Sequence, residues 1–147
     1  MQEGCVFCKI SSGEEWGAIV WDDGERLVFM DRFPVTVGHT LVAPKSHRDD
    51  VLEMTEEEVG RLFSLAARVA RAIKRSLNPA GINLLQNNGA AAGQVIFHAH
   101  VHVIPRYQSQ TDNPTRAFGK NRLRVSEREL LETASVIRDA MREARTL

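Results

Sequence analysis

His98-Ala99-His100-Val101-His102-Val103-Ile104 is the stretch on which the reading of this chain turns. Histidine alternates there with small or β-branched apolar residues at a period of two. Successive side chains of a strand point to opposite faces, so the three imidazoles share one face, with next neighbours about 6 to 7 Å apart. Ala99, Val101 and Val103 share the other face and can pack on a core. A row of imidazoles has no packing advantage over apolar side chains. Histidine does have the unperturbed pKa nearest neutrality, which suits proton transfer and nucleophilic attack. The stretch predicts a strand over 97–104, stopped by Pro105, that presents a chemical site.

Upstream, 82–86 reads as a strand and 87–93 as a loop of small residues. Thr55-Glu56-Glu57-Glu58 has the spacing of a capping box. Behind it Val59, Leu62, Phe63, Ala66, Val69, Ala70, Ile73 and Leu77 recur at intervals of three and four, the stripe of a long amphipathic helix that Asn78-Pro79-Ala80-Gly81 ends. Near the start, the apolar runs 18–21 and 27–30 flank Asp22-Asp23-Gly24, a hairpin signal. The break at 34–38 precedes a third strand over 39–43. Downstream, 107–124 is polar and reads as a long loop, and Ser126-Glu127-Arg128-Glu129 opens a second helix running toward Glu143. The class is α+β, with about five strands, one long helix and a C-terminal helix.

The 147 residues suit a single domain over 1–147 with one buried core. Apolar residues at 43% and charged residues at 26% are those of a globular chain. Nineteen basic residues balance nineteen acidic ones, so neither a nucleic-acid backbone nor an anionic membrane is the expected partner. No run reaches the roughly 18 to 20 apolar residues of a membrane helix. The start, Met1-Gln2-Glu3-Gly4-Cys5, lacks a basic region followed by an apolar one, and a cytoplasmic location is expected. In that reducing setting Cys5 and Cys8 are expected as thiols rather than as a disulfide. Their C-x-x-C spacing lets two sulfurs reach one metal, although redox and incidental readings stay open. The two further ligands would have to be histidines. His39 and His47 are the only ones outside the triad.

The run His98 to Ile104, with Asn87-Asn88-Gly89, Gly93-Gln94, Pro34 and Gly38-His39 ahead of it, resembles the histidine-triad (HIT) superfamily. The similarity covers about 5–106, leaves the loop and helix of 107–147 loosely constrained, and implies a HIT-like fold whose roughly five strands form an antiparallel sheet. The resemblance implies nucleotidyl hydrolases and transferases acting on nucleoside-phosphate-X substrates, such as dinucleoside polyphosphates or nucleoside 5′-phosphoramidates. His100 would attack the α-phosphorus to form a nucleotidyl-histidine intermediate, whose hydrolysis releases a nucleoside monophosphate such as AMP. His102 would contact the phosphate oxygens and assist proton transfer. The backbone carbonyl of His98 would hold the tautomer of the nucleophile, and Gln94 and Asn87 would face the phosphate or leaving group. Asp31 would hold the ribose hydroxyls, Val6, Phe7, Ile10 and Phe29 would clamp the base, and His39 would stand behind the triad.

Bacterial members with an N-terminal C-x-x-C are the most similar, which implies one structural Zn2+ per chain on Cys5, Cys8, His47 and His98, and a homodimer. Val95 is a departure, because related sequences often carry Ser or Thr there and this side chain brings no hydroxyl to the phosphate. Two other readings stay open at this level. The three triad histidines could bind an open catalytic zinc, or the protein could be a nucleotide-binding regulatory module with little turnover.

Overall fold

The computed structural model describes residues 2–108 and 122–143. Three α-helices are present, α1 (Val6–Ser12), α2 (Glu56–Leu77) and α3 (Glu127–Glu143). The strands are β1 (Ile19–Asp22), β2 (Arg26–Met30), β3 (Thr40–Pro44), β4 (Gly81–Leu85) and β5 (Val101–Arg106). They form one antiparallel sheet in the order β1-β2-β3-β5-β4.

The local signals act as their chemistry requires. Gly24, with φ 84°, closes the first hairpin, and its N–H donates to Asp22 Oδ1 at 2.9 Å. Thr55 and Glu58 form a reciprocal capping box, with Glu58 N–H on Thr55 Oγ1 at 3.1 Å and Thr55 N–H on Glu58 Oε1 at 3.0 Å. Asn78 ends α2 in the left-handed region. At the start of α3, Glu129 N–H donates to Ser126 Oγ at 3.1 Å.

The register divides the sheet into two faces. Val20, Val28, Val42, Val101 and Val103 pack against Leu62, Leu65, Val69 and Ile73 of α2 and Leu130, Ile137 and Met141 of α3. Phe29 pairs with Leu41, and Leu41 pairs with His102, so these three share the opposite face. On that face α1 covers Leu27, Phe29, Leu41 and Ala43 with Phe7 and Ile10. The period-two pattern therefore works as expected, with Val101 and Val103 in the core and His102 toward the second face.

Two expectations are corrected. The strand expected over 97–104 joins the ladder only at Val101, because residues before it leave the sheet and run beside the end of β3. Ala99 N–H donates to Arg48 O at 2.7 Å. His98 and His100 thus lie just before the strand. Pro105 does not stop it. β3 pairs with β5 only along Val101–Val103, so at Pro105 the strand has a ladder neighbour on one side, where a residue without an N–H is tolerated. Second, α1 adds a helix to the two expected. Most of the long loop expected over 107–124 lies outside the described residues. Among those residues no helix is long and apolar enough to cross a membrane.

Candidate active site and metal centre

α1 and the end of β3 bring four donor atoms together. Cys5, Cys8, His47 and His98 each offer one ligand atom, all within 4.8 Å of one another. Cys5 Sγ lies 3.3 Å from His98 Nδ1, and Cys8 Sγ lies 3.6 Å from both His98 Nδ1 and His47 Nδ1. Bonds of about 2.3 Å to sulfur and about 2.0 Å to nitrogen at a tetrahedral metal separate S and N by about 3.5 Å. The far nitrogens are already engaged. His98 Nε2–H donates to Pro44 O at 2.7 Å, and His47 Nε2–H to Asp49 Oδ1 at 2.7 Å. Each bond forces the tautomer that turns the Nδ1 lone pair toward the two sulfurs, the outer arrangement typical of metal-binding histidines. The residues fit a closed four-coordinate metal.

The other triad histidines carry different hydrogen bonds. His100 Nδ1 lies 2.6 Å from His98 O. A carbonyl only accepts, so Nδ1 carries the hydrogen and Nε2 keeps the lone pair. Phe7 packs edge-on against the His100 ring at 5.0 Å between centroids. Burial lowers the His100 pKa, which keeps the ring neutral. His102 is set through His39. Val35 N–H donates to His39 Nδ1 at 3.0 Å, which leaves the His39 hydrogen on Nε2. That nitrogen lies 2.9 Å from His102 Nδ1 and 3.5 Å from Asp31 Oδ2. His102 therefore accepts at Nδ1 and offers its Nε2–H. Burial, aided by neighbouring positive charge, pushes His39 down to about 2 and His102 down to about 3. Asp31, His39 and His102 also stand close enough to be weighed as metal ligands. The hydrogen on His39 Nε2 accounts for that cluster without one.

Val6, Phe7, Ile10, Phe29, Asp31, Asn87, Gln94, His100 and His102 all line one cavity of about 750 Å³. That volume suits a nucleotide-sized ligand. Asp31 Oδ1 accepts from Phe33 N–H at 2.9 Å and Oδ2 from Arg122 Nη1 at 3.3 Å. Burial raises the Asp31 carboxyl pKa, and the Arg122 charge opposes that shift. Gln94 is largely committed to the loop that carries Asn87. Its amide donates to Asp49 O at 2.6 Å and Ile96 O at 3.0 Å, and its Oε1 accepts from Gly89 N–H at 2.7 Å. Gly93 closes this loop at φ 94°, in the left-handed region that favours glycine. Val95 is 81% exposed at the rim.

A sequence model of the HIT domain matches residues 12–109. The chain belongs to the HIT family. Among HIT relatives, the Protein hit of Bacillus subtilis is 48% identical over 105 residues, 71% of this chain and 72% of that one. Adenylylsulfatase HINT3 of Arabidopsis thaliana is 42% identical over 106 residues, 72% of this chain and 54% of that longer one. Among solved HIT structures, a hypothetical histidine triad nucleotide-binding protein of Sulfolobus tokodaii superposes with a TM-score of 0.84 at 34% identity, covering 95% of this chain and 93% of that one. A zinc-bound histidine triad family protein of Mycobacterium smegmatis superposes with a TM-score of 0.80 at 35% identity, covering 97% and 96%. The antiparallel α+β sheet is thus the HIT-like fold, and the family's site is a nucleotide site.

Sequence reasoning passed over Trp16, Arg32, Arg122 and Glu127, which also line the cavity. Arg32 stacks on Trp16 at 4.7 Å and pairs with Glu127 at 3.3 Å. Nothing in their spacing points to the cavity. Asp49 was findable, as a carboxylate two residues after a candidate metal-binding histidine.

Proposed function

We propose that the protein cleaves nucleoside-phosphate-X substrates at the α-phosphate, as a hydrolase or nucleotidyl transferase. The observation that carries this reading is the bond from His100 Nδ1–H to His98 O, which leaves the lone pair on Nε2 of an imidazole that lines the cavity. In the first step the Nε2–phosphorus bond forms and the bond from phosphorus to X breaks. X leaves with the electron pair and takes up a proton. In the second, water attacks phosphorus, the N–P bond breaks and the nucleoside monophosphate departs. His102 donates its Nε2–H to the phosphate oxygens as a neutral group. Asn87 faces the phosphate and leaving group from a loop that Gln94 ties down through Gly89, Asp49 and Ile96, Asp31 takes the ribose hydroxyls, and Val6, Phe7, Ile10 and Phe29 clamp the base. A relative named as an adenylylsulfatase supports the class, in which dinucleoside polyphosphates and nucleoside 5′-phosphoramidates are the substrates to try and AMP the expected product.

Zinc is the metal we assign to Cys5, Cys8, His47 and His98, on the 3.3 to 3.6 Å sulfur–nitrogen spacing and the zinc-bound relative. Four protein ligands close its coordination, so it anchors α1 and leaves no open position for catalysis. The open-metal alternative is disfavoured because His98 turns to the sulfurs while His100 turns its Nδ1 to a carbonyl. We place the protein in the cytoplasm, where the thiols stay reduced, and as a homodimer. The outer edge of β4, which has no strand partner among the described residues, is a candidate interface, and light scattering of the purified protein tests it.

The deciding experiment incubates the protein with diadenosine polyphosphates and an adenosine phosphoramidate, with mass spectrometry for an adenylyl adduct. His100→Ala is expected to lose turnover by at least about 10³-fold and to lose the adduct while still binding AMP. Unchanged hydrolysis in that variant would rule the mechanism out. Binding without turnover in the parent protein would favour a regulatory module.

A further inference from the structure

The segment ahead of α3 returns to the cavity beside Asp31, beyond the 12–109 stretch that the HIT-domain model matches. Arg122 Nη1 donates to Asp31 Oδ2 at 3.3 Å and to Phe33 O at 2.9 Å. Leu123 N–H donates to Pro34 O at 2.7 Å. Three hydrogen bonds thus staple residues 122–123 to the turn over 31–34. We propose that Arg122 is a positioning residue for the ribose, holding the Asp31 carboxylate in the orientation that accepts the 2′- and 3′-hydroxyls of the bound nucleotide. The inference rests on the nucleotide reading of the cavity.

The Asp31 side chain is only 15% exposed, and a carboxylate out of water is costly unless paired. Burial raises its pKa, and the Phe33 N–H and then the Arg122 charge oppose that rise. Each carboxylate oxygen has two acceptor positions. Phe33 N–H takes one on Oδ1 and Arg122 takes one on Oδ2, so each oxygen keeps a position for one member of a vicinal hydroxyl pair. The two hydrogens of Arg122 Nη1 lie at a fixed angle in the guanidinium plane, so the one held by Phe33 O aims the other at Asp31 Oδ2 and the charge neutralises the carboxylate. The second bond, to Phe33 O, holds Arg122 in place. It therefore supports Asp31 rather than competing with ribose for it.

The test measures binding of AMP and of 2′,3′-dideoxyAMP, which lacks both hydroxyls, by calorimetry on the metal-loaded protein. The parent is expected to prefer AMP, and Asp31→Asn is expected to abolish the preference. In Arg122→Ala the ratio of the two affinities should fall by about tenfold, the loss of one hydrogen bond to a charged group. Arg122→Lys, which keeps the charge but not the planar geometry of Nη1, should restore only part of it. Because the readout is a ratio within one protein, a general loss of stability does not move it. An unchanged ratio in Arg122→Ala, with Asp31→Asn still abolishing the preference, overturns the role of Arg122 alone. A raised ratio makes Arg122 a competitor of ribose and overturns it as well. No preference in the parent, or none lost in Asp31→Asn, overturns the ribose assignment of Asp31 and this inference with it.

Discussion

His39 shows how one fully buried side chain reaches the chemistry without touching it. Its Nδ1 accepts from Val35, so its Nε2–H faces His102, and burial pushes it down to about 2. In the unfolded chain a histidine titrates near 6.5, and the unfolded state therefore binds one more proton than the native state from about pH 6 to pH 3. The sign follows directly. A depressed histidine lends no stability that appears on acidification. Stability is instead lost as pH falls through 6.5, at a limiting slope of about 1.4 kcal/mol per pH unit. His39→Gln keeps a donor toward His102 but removes the titration. Its unfolding free energy between pH 6 and 4.5 should fall less steeply than the parent's by about that slope. Loss of the proposed zinc on acidification would affect both proteins and cancel in the difference. Superimposable slopes would mean that His39 charges in the native state. The same scale shows what could be read in advance. His98, His100, His102, Cys5 and Cys8 announce themselves because few other residue types can do what they do at that spacing, whereas His47 was singled out only by the family resemblance. Arg122 is one of many arginines, and only its long-range return to Asp31 distinguishes it.

At the scale of elements, α2 was legible because its capping box and apolar stripe are local and repeated over many turns. α1 was not. Seven residues make two turns, too few for periodicity to show and too few to be stable in isolation. Its Cys5 cap and its Phe7 and Ile10 contacts are visible only once the sheet stands beneath it. The start of β5 escaped for a related reason, since alternation persists through His98 and His100 while the pairing partner changes. The fourfold cysteine–histidine cluster must then do much of the work of holding α1. Cys8→Ser, or removal of the metal by a chelator, should release amide protection over 8–12 while leaving that of α2 in place. Overall stability should fall by at least about 2 kcal/mol, as expected when a structural metal site is lost. Hydrogen exchange with mass spectrometry reads both. Retained protection over 8–12 in metal-free Cys8→Ser would show that apolar packing alone holds the helix.

At the scale of the whole molecule, strand number and the first hairpin followed from patterns in the chain and antiparallel pairing from the family resemblance, but the order β1-β2-β3-β5-β4 came from neither. The insertion of β5 between β3 and β4 is decided by which apolar faces α2 and α3 can cover together, a property of the assembled layers. α3 also ties the far end of the chain to the first strand. Arg138 donates from Nε to Val20 O at 3.0 Å and from Nη2 to Ile19 O at 2.6 Å. One residue earlier, Ile137 is fully buried among the sheet valines and α2. If α3 belongs to the same cooperative unit as the sheet, Ile137→Ala should cost about 2 to 5 kcal/mol, the range for emptying a buried aliphatic site. A urea titration should show a lower midpoint with an unchanged slope. The cavity lies on the opposite face of the sheet, so AMP affinity of the folded fraction should stay near that of the parent. A cost below about 0.5 kcal/mol would place α3 outside the cooperative unit. A normal cost with a weakened nucleotide site would instead mean that α3 transmits its packing through residues 122–126 to Asp31, coupling the two faces of the sheet.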